Sequence, residues 1–247
     1  MAGGAAALRA AGLICEPFTP DPEAIEAINR PWLFAMRNRR PFFVLKAAVS
    51  LDGRIALPNG ESKWITSERA RRAAHRLRAD LGAVLVGRRT VGLDNPSLTA
   101  RISGVVNQPT RIVLDPHQRL SEHHAVFDSV APTLRVVSQA ERPGDLPTRS
   151  QNGSLDLNEL ASLLFERGIT GVLVEGGAHT HAAFVKAGLV DRIHLFIAPK
   201  LLGEGPSWLA DFGIRRLEQA PSWQRTGVKT HGPDLEIVLE PAQNLTT

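Results

Sequence analysis

Seven polar residues fall where apolar runs end or in the loops beside them: Lys46, Ser62, Arg78, Thr90, Asp94, Arg101 and Glu175. Two arginines suit a phosphate, because each guanidinium offers a planar fork of donors. A lysine, an aspartate and a glutamate can hold and pass protons. No nucleophile is paired with a base, and no cluster has metal-ligand spacing, so no metal is expected. His179 and His181, two apart at a helix start, project in different directions and make a poor chelate. They read as surface or cleft residues.

The stretch Gly171–Gly188 has to position part of this set. Val172-Leu173-Val174 is a short β-branched run that reads as a buried strand. It ends in the charge of Glu175. Gly176 and Gly177 follow, then Ala182, Ala183, Phe184 and Ala187 at helical spacing, stopped by Gly188. A strand, a Gly-Gly corner and a helix N-terminus make a site for an anion, since the first helical N–H groups point outward at it. The alternative is a tight turn that simply needs glycine.

Lys46 lies within Phe42–Ser50, a run apolar on both faces, which predicts a central strand. Period two places Val44, Lys46, Ala48 and Ser50 on one side. A lysine that guards an exposed edge strand is the competing explanation. Residues 51–66 form a long polar loop with Asp-Gly and Asn-Gly turn signals. Thr66 or Ser67 caps the next helix, whose stripe is Ala70, Ala73, Ala74, Leu77 and Leu81. At about 100° per residue Arg78 falls roughly 80° from the centre of that stripe, on its flank. Neither Arg78 nor Arg101 has an acidic residue at helical spacing to pair with.

Further strands are expected at 83–87, 110–115, 133–138 and within RIHLFIAPKLLG, with a closing pair around His231-Gly232-Pro233-Asp234. The segment RRTVGLDNPSLTAR reads as a loop with a turn at Asp94-Asn95-Pro96. Asp156-x-x-Glu159 resembles a capping box and opens a helix closed by Gly168. This order predicts an α/β fold: a three-layer mixed sheet, mostly parallel, with an antiparallel C-terminal pair. A G-x-G-x-x-G dinucleotide fingerprint is absent. Residues 1–40 differ from the rest: Asp21-Pro22-Glu23 starts a helix that Pro31 should kink or break. They read as a docked arm before a domain at 41–242.

Composition removes several classes. With 43% hydrophobic and 22% charged residues the chain is an ordinary globular one. No apolar run approaches the roughly 18 residues of a membrane span, so no membrane role is expected. The single cysteine, Cys15, excludes a disulfide framework and a cysteine zinc site. The N-terminus lacks a continuous apolar core for a secretory signal, and a cytoplasmic location is the expectation. The pI of 9.8 overstates a formal charge of only +4, because there is no tyrosine and little titrates between histidine and lysine. Scattered arginines without interleaved aromatics argue against nucleic acid.

LKAAVSLDGRIA, GESKWITSERARR, LRAD, GRRTVGLDNPSLTAR and LVEGGAHTHAAFVKAGLVDR together resemble the reductase domain of the bifunctional riboflavin-biosynthesis deaminase/reductase, in order from about Pro41 to Pro241. The resemblance implies a dihydrofolate-reductase-like fold, a homodimer, and NADPH-dependent reduction of a ribosylamino-pyrimidine 5′-phosphate to its ribitylamino product. It places Ala48, Trp64, Thr90 and Asp94 at cofactor positions and Gly177, Ala178, His179, Thr180, His181, Ala182 and Ala183 in the pyrophosphate loop. Ser138 falls, on a looser match, near the cofactor's 2′-phosphate.

By the same resemblance Ser62, Arg78, Leu98, Arg101 and Glu175 fall at substrate positions, with the two arginines toward the 5′-phosphate. Lys46 is implied as the donor of a proton or hydrogen bond to the ribose, with Asp94 a further proton partner and Glu175 a third group in the chemistry. RAAGLICEPFTPDPEAIEAINRPWLFAMRNRRPF resembles the end of the family's deaminase domain and its linker. A zinc deaminase needs H-x-E and P-C-x-x-C. No histidine here is followed two residues on by glutamate, so this chain holds no deaminase site. Two rival readings stay open: a non-catalytic nucleotide-binding relic, and a reductase of the same fold acting on the not-yet-deaminated pyrimidine or another carbonyl.

Overall fold

A computed structural model of the chain describes residues 4–16, 22–151 and 153–242. Two helices, α1 (Gly4–Ala10) and α2 (Pro22–Asn38), precede strand β1 (Phe42–Ser50). Then come α3 (Glu68–Leu81), β2 (Ala83–Gly87), α4 (Arg88–Asp94), β3 (Thr110–Leu114), β4 (Thr133–Val137) and β5 (Leu146–Pro147). A small hairpin of β6 (Ser150–Gln151) and β7 (Ser154–Leu155) leads to α5 (Leu157–Glu166), β8 (Gly171–Val174) and α6 (Ala178–Lys186). The chain closes with β9 (Arg192–Ala198), β10 (Trp223–His231) and β11 (Asp234–Pro241).

Nine strands form one sheet in the order β10-β11-β9-β1-β8-β2-β3-β4-β5. From β9 to β5 every pairing is parallel, while β11 runs antiparallel to β9 and β10 antiparallel to β11. The expected class is therefore the observed one. Both faces are covered, which is why the inner strands are near-continuous Val/Ile/Leu runs. The period of two on β1 sorts its side chains. Phe43, Leu45, Ala47 and Val49 join a core with Val172, Val174, Leu160, Leu164 and Phe184, on the side of α5 and α6. Phe42 and Val44 pack on the other side with Leu173, Phe34 of α2, and Leu77 and Leu81 of α3. Lys46 shares that second face. With β8 and β9 on its two flanks, β1 has no edge to guard, and the edge explanation of Lys46 falls away.

Local signals end the helices much as expected. The Ser67 hydroxyl accepts from Ala70 N, and Gly82, at φ 72°, closes α3. Asp156 accepts from Asn158 N and Glu159 N, but the returning arm of the capping box is missing. Glu159 instead takes Arg149 N at 2.5 Å and Arg149 Nε at 2.9 Å.

Two features differ from the sequence expectation, and one buried arginine adds to them. The segment between β2 and the turn at Asp94-Asn95-Pro96 forms the helix α4, which Asn95, at φ 42°, closes; it lacks a side-chain cap and contains Gly92, so no local signal announces it. Burial of Val91 against Val84, Val86 and Leu98 holds it in place. The helix α2 runs through Pro31 without a break. Docking offsets the lost hydrogen bond: Pro31 lies against Gly171, the Phe34 and Phe42 rings meet at 5.2 Å, and Arg30 pairs with Glu240 at 2.6 Å. The proposed helix start at Asp21 lies outside the described residues. Finally, the arginines are not all surface groups. Arg111 on β3 is fully buried and donates to Asp128 Oδ1 at 2.7 Å, Thr133 Oγ1 at 2.8 Å and the carbonyls of Ser97, Ala125, Asp128 and Ala131. It thereby ties down the segment 95–98.

Candidate active site

The connection β1–α3–β2 leaves β1 on one face of the sheet, and β8–α6–β9 leaves the adjacent β8 on the other. Such a reversal opens a crevice at the strand carboxyl ends, the usual ligand position in α/β sheets. Here it is a cleft of about 440 Å³. Lys46, Ala48, Ser62, Trp64, Arg78 and Thr90 line it, with Asp94, Leu98, Arg101, Glu175, Gly177 and His181. Residues from across the chain converge there because β8 inserts between β1 and β2, which places Glu175 beside both Lys46 and α3.

The centre of the cleft is charged. Arg78 grips Glu175 through two hydrogen bonds, Nε to Oε1 at 2.6 Å and Nη2 to Oε2 at 2.9 Å, and its Nη1 donates to the Thr99 carbonyl at 2.8 Å. Both side chains are nearly buried. Burial alone would raise the Glu175 pKa, but the Arg78 charge and hydrogen bonds, with Lys46 and His75, hold it at about 2. Glu175 is thus a fixed anion near neutral pH, an acceptor and not a proton donor. The expected proton role for Glu175 and the expected free fork on Arg78 are both revised by this pair. Lys46 stands beside it, half-buried, its ammonium 5.8 Å from the centroid of the Phe196 ring. Burial lowers its pKa, the Glu175 charge opposes that, and Arg78 adds to it. A lysine in this setting releases its proton more readily than a surface lysine.

Around this centre sit the loops. The Trp64 ring is over half exposed, with the Arg71 guanidinium 4.4 Å from its centroid and Lys200 Nζ donating to its carbonyl at 2.8 Å. On α4, Thr90 and Asp94 lie one turn apart and share a face. Leu98 is buried with φ at 54°, a conformation uncommon for a branched residue. Packing against Val84, Val86 and Val91, and the hold of Arg111 on the neighbouring Ser97 carbonyl, maintain it.

The two glycines before α6 differ in purpose. A Cβ on Gly176 would meet Thr180 Cγ2 at 2.6 Å, and one on Gly87 would meet Thr180 Oγ1 at 2.6 Å. The Thr180 side chain is wedged between those two backbones, so Gly176 is required by packing. Gly177, in extended backbone as the N-cap, has no such neighbour: its nearest atom would be Thr90 Oγ1 at 3.8 Å. A bare approach to the first amides of α6 remains, which is the cradle that a phosphate needs.

Of the other residues of the implied cofactor loop, only His181 reaches the cleft. His179 and Ala183 are exposed on the outer side of α6, Ala182 is buried, and neither these nor Ala178 and Thr180 line the cleft. His181 is 2% exposed, its Nδ1–H donating to the Trp208 carbonyl at 2.8 Å. Burial brings its pKa down to about 4, so it is a neutral residue of the cleft wall, the cleft alternative of the expectation. Ser138, just past β4, is outside the cleft, and its buried Oγ has no hydrogen-bond partner among the described residues. The sequence signals used above did not single out Arg71 and Ile55, which also line the cleft. Arg71 had a signal: it precedes His75 and Arg78 at i, i+4 and i+7.

Residues 41–237 match the family described as RibD C-terminal domain. Similar curated proteins are the riboflavin biosynthesis proteins RibD of Bacillus amyloliquefaciens and Aquifex aeolicus. The first is 38% identical over 228 residues, 87% of this chain and 62% of that protein. The second is 37% identical over 243 residues, 96% of this chain and 68% of that protein. The chain thus spans only about two thirds of the length of these relatives. Among solved structures, a deaminase/5-amino-6-(5-phosphoribosylamino)uracil reductase from Thermotoga maritima superposes with a TM-score of 0.78 at 29% identity, covering 89% of this chain and 62% of that one. RibD of Acinetobacter baumannii gives a TM-score of 0.80 at 30% identity, with 96% and 67% covered.

Proposed function

The chain belongs to the RibD C-terminal domain family, and on that premise we propose that it is an NADPH-dependent reductase of 5-amino-6-(5-phosphoribosylamino)uracil. What carries this reading is the meeting of Lys46, Glu175 and Arg101 with the uncovered Gly177 helix start in a single cleft. We assign the activity to residues 41–242, with 1–40 as an arm docked through α2. A cytoplasmic homodimer is part of the same reading, supported by the lone Cys15 and the exposed outer strand β10. Light scattering at micromolar concentration reads the dimer directly, and a monomer removes it.

The site fits a dinucleotide phosphate in one place. Gly177 leaves the first amides of α6 open to a pyrophosphate, and Ser138, outside the cleft with its Oγ buried, is assigned to the 2′-phosphate only by the looser match of the resemblance. Ala48, Trp64, Thr90 and Asp94 would hold the remainder. When bound, NADPH supplies the hydride. Lys46 protonates the ribose ring oxygen as the C1–O bond opens. The C1–O bond breaks as the nitrogen lone pair forms a C=N bond; C1 then takes the hydride, the C=N electron pair returns to nitrogen without a further proton, and the ribitylamino product results. Glu175 stays ionised throughout and keeps the Lys46 proton in place until it is needed, with Asp94 the second proton partner.

The test is NADPH oxidation with the aminated and the deaminated pyrimidine phosphate offered separately. Turnover of the deaminated one without ammonia release is the expected result. NADPH binding with no turnover of either pyrimidine would leave a relic that binds nucleotide only. Turnover of the aminated one alone would move the substrate one reaction earlier.

The glycine pair gives a separate check on the cofactor. Gly177→Val should melt with the parent protein yet bind NADPH roughly 10- to 150-fold more weakly, the effect of losing one charged hydrogen bond. Gly176→Val should instead lower the melting temperature, because Thr180 has nowhere to go. A Gly177 variant with parental NADPH affinity, titrated by fluorescence, would remove the pyrophosphate from this helix.

A further inference from the structure

Behind the cleft, one irregular segment joins its two walls. Ile55, Ser62 and Trp64 belong to the wall carried by the loop after β1, and Gly177 and His181 to the wall at the start of α6. Among the described residues that line the cleft, none comes from 199–210. Yet this segment, which follows β9, is hydrogen-bonded to both walls. On the α6 side, His181 Nδ1–H donates to the Trp208 carbonyl at 2.8 Å, and Ala210 N to the Ala178 carbonyl at 3.2 Å. On the other side, Leu51 N donates to the Lys200 carbonyl at 2.8 Å and Ile55 N to the Pro206 carbonyl at 3.0 Å. Lys200 Nζ donates in turn to the Trp64 carbonyl at 2.8 Å.

Asp52 stands at the centre of this second set. Half-buried, it accepts on Oδ1 from the Ser50 hydroxyl at 2.5 Å and from Leu202 N at 3.1 Å, and on Oδ2 from Gly203 N at 2.7 Å. The Ser50 hydroxyl first, then the Leu202 amide, hold its pKa at about 2, so it is an anion near neutral pH. Arg54 grips the same turn, Nε donating to the Gly203 carbonyl at 3.0 Å and Nη1 to the Gly205 carbonyl at 3.2 Å. The two loops meet so closely at Gly205, φ 133°, that a Cβ there would collide with the Ala56 carbonyl oxygen. Amides bound by a carboxylate are held about twice as strongly as by a neutral acceptor. Ser50 ends β1, the strand that carries Lys46, so this clamp is anchored to the strand at the centre of the cleft.

We infer that Asp52 is a positioning residue of the reductase: through residues 199–210 it fixes the Ser62–Trp64 wall of the cleft at its working distance from the start of α6. The inference rests on the reductase reading above. Asp52 touches neither ligand on this account and acts only through the segment it clamps.

The experiment measures NADPH oxidation at saturating deaminated pyrimidine phosphate, with NADPH affinity titrated separately by fluorescence. A misplacement of about 1 Å costs about 10²-fold in rate, so Asp52→Ala should lose about that much in kcat while NADPH affinity stays close to parental. Lys200→Met cuts the tie to Trp64 and should lose part of the same factor. Because both act through one segment, the double variant should lose less than the product of the two single losses. Losses that multiply in full overturn the inference, and so does parental kcat in Asp52→Ala. An equal fall in kcat and NADPH affinity also overturns it, since Asp52 would then support binding alone. Asp52→Asn keeps the shape and one acceptor oxygen; it carries the test if Asp52→Ala does not fold, and parental kcat there sinks the idea. Failure of the parent protein to oxidise NADPH with either pyrimidine phosphate removes the reductase reading itself, a result seen before any variant is made.

Discussion

Lys46→Met is expected to lower turnover about 10²- to 10⁴-fold, the span of general acid catalysis, with NADPH affinity close to parental. The side chain stands on the central strand β1, in the face shared with α3, beside the fixed Glu175 anion. Methionine keeps the length and removes the charge. Because the Arg78–Glu175 pair is balanced on its own, the fold should not suffer. Lys46→Arg should fare no better in turnover, since a guanidinium does not give up its proton near neutral pH. The pH profile separates a chemical role from a packing one. Turnover that needs the Lys46 ammonium must fall as pH rises through its pKa, which burial places below the 10.5 of an ordinary lysine. That alkaline limb should be missing from the residual activity of Lys46→Met. Parental turnover in Lys46→Met, or an unaltered limb, would remove Lys46 from the reaction.

Arg78→Ala is expected to cost about 3–5 kcal/mol of stability, as removal of one partner from a buried ion pair does. Glu175 would be left 10% exposed with no cation gripping it. Its pKa, about 2 in the folded chain, lies below the usual 4.5. A depressed carboxylate contributes stability that is fully present above its unfolded pKa and lost as pH falls through its folded one. The window is therefore pH 4.5 down to about 2, and the gap corresponds to about 3 kcal/mol at 1.36 kcal/mol per unit. Denaturant midpoints across this window should slope steeply in the parent protein and much less in Arg78→Ala. Replacing both partners, Arg78→Met with Glu175→Leu, should recover most of the stability and none of the activity. If Arg78→Ala keeps the parental midpoint and instead loses preference for phosphorylated ligand, then Arg78 is a phosphate ligand and its pairing with Glu175 is incidental.

Much of the molecule was legible from local pattern. The period of two in Phe42–Ser50 predicted a central strand covered on both sides. Ser67 and Asp156 marked helix starts because a short side-chain oxygen satisfies amides only two or three residues away. The order of apolar runs predicted a mixed sheet with its antiparallel end, and the spaced motifs pointed to the family. These signals survive in sequence because the interactions behind them span a few residues, or repeat with the geometry of one element.

Tertiary structure decided what those residues do. No helical spacing pairs Arg78 with Glu175, which lie 97 positions apart; the insertion of β8 between β1 and β2 brings them together. The same meeting fixed Glu175 as an anion. His181 and Arg111 look alike in sequence to surface groups, and only the packing of α6 on β1 and of the 95–98 segment on β3 buries them. Docking on the sheet carried α2 through Pro31, and the burial of Val91 made a helix of the segment before the turn at Asp94-Asn95-Pro96. In each case the deciding energy is desolvation or a contact between distant elements. Local sequence sets which groups are present; the order of strands sets which of them lose water together.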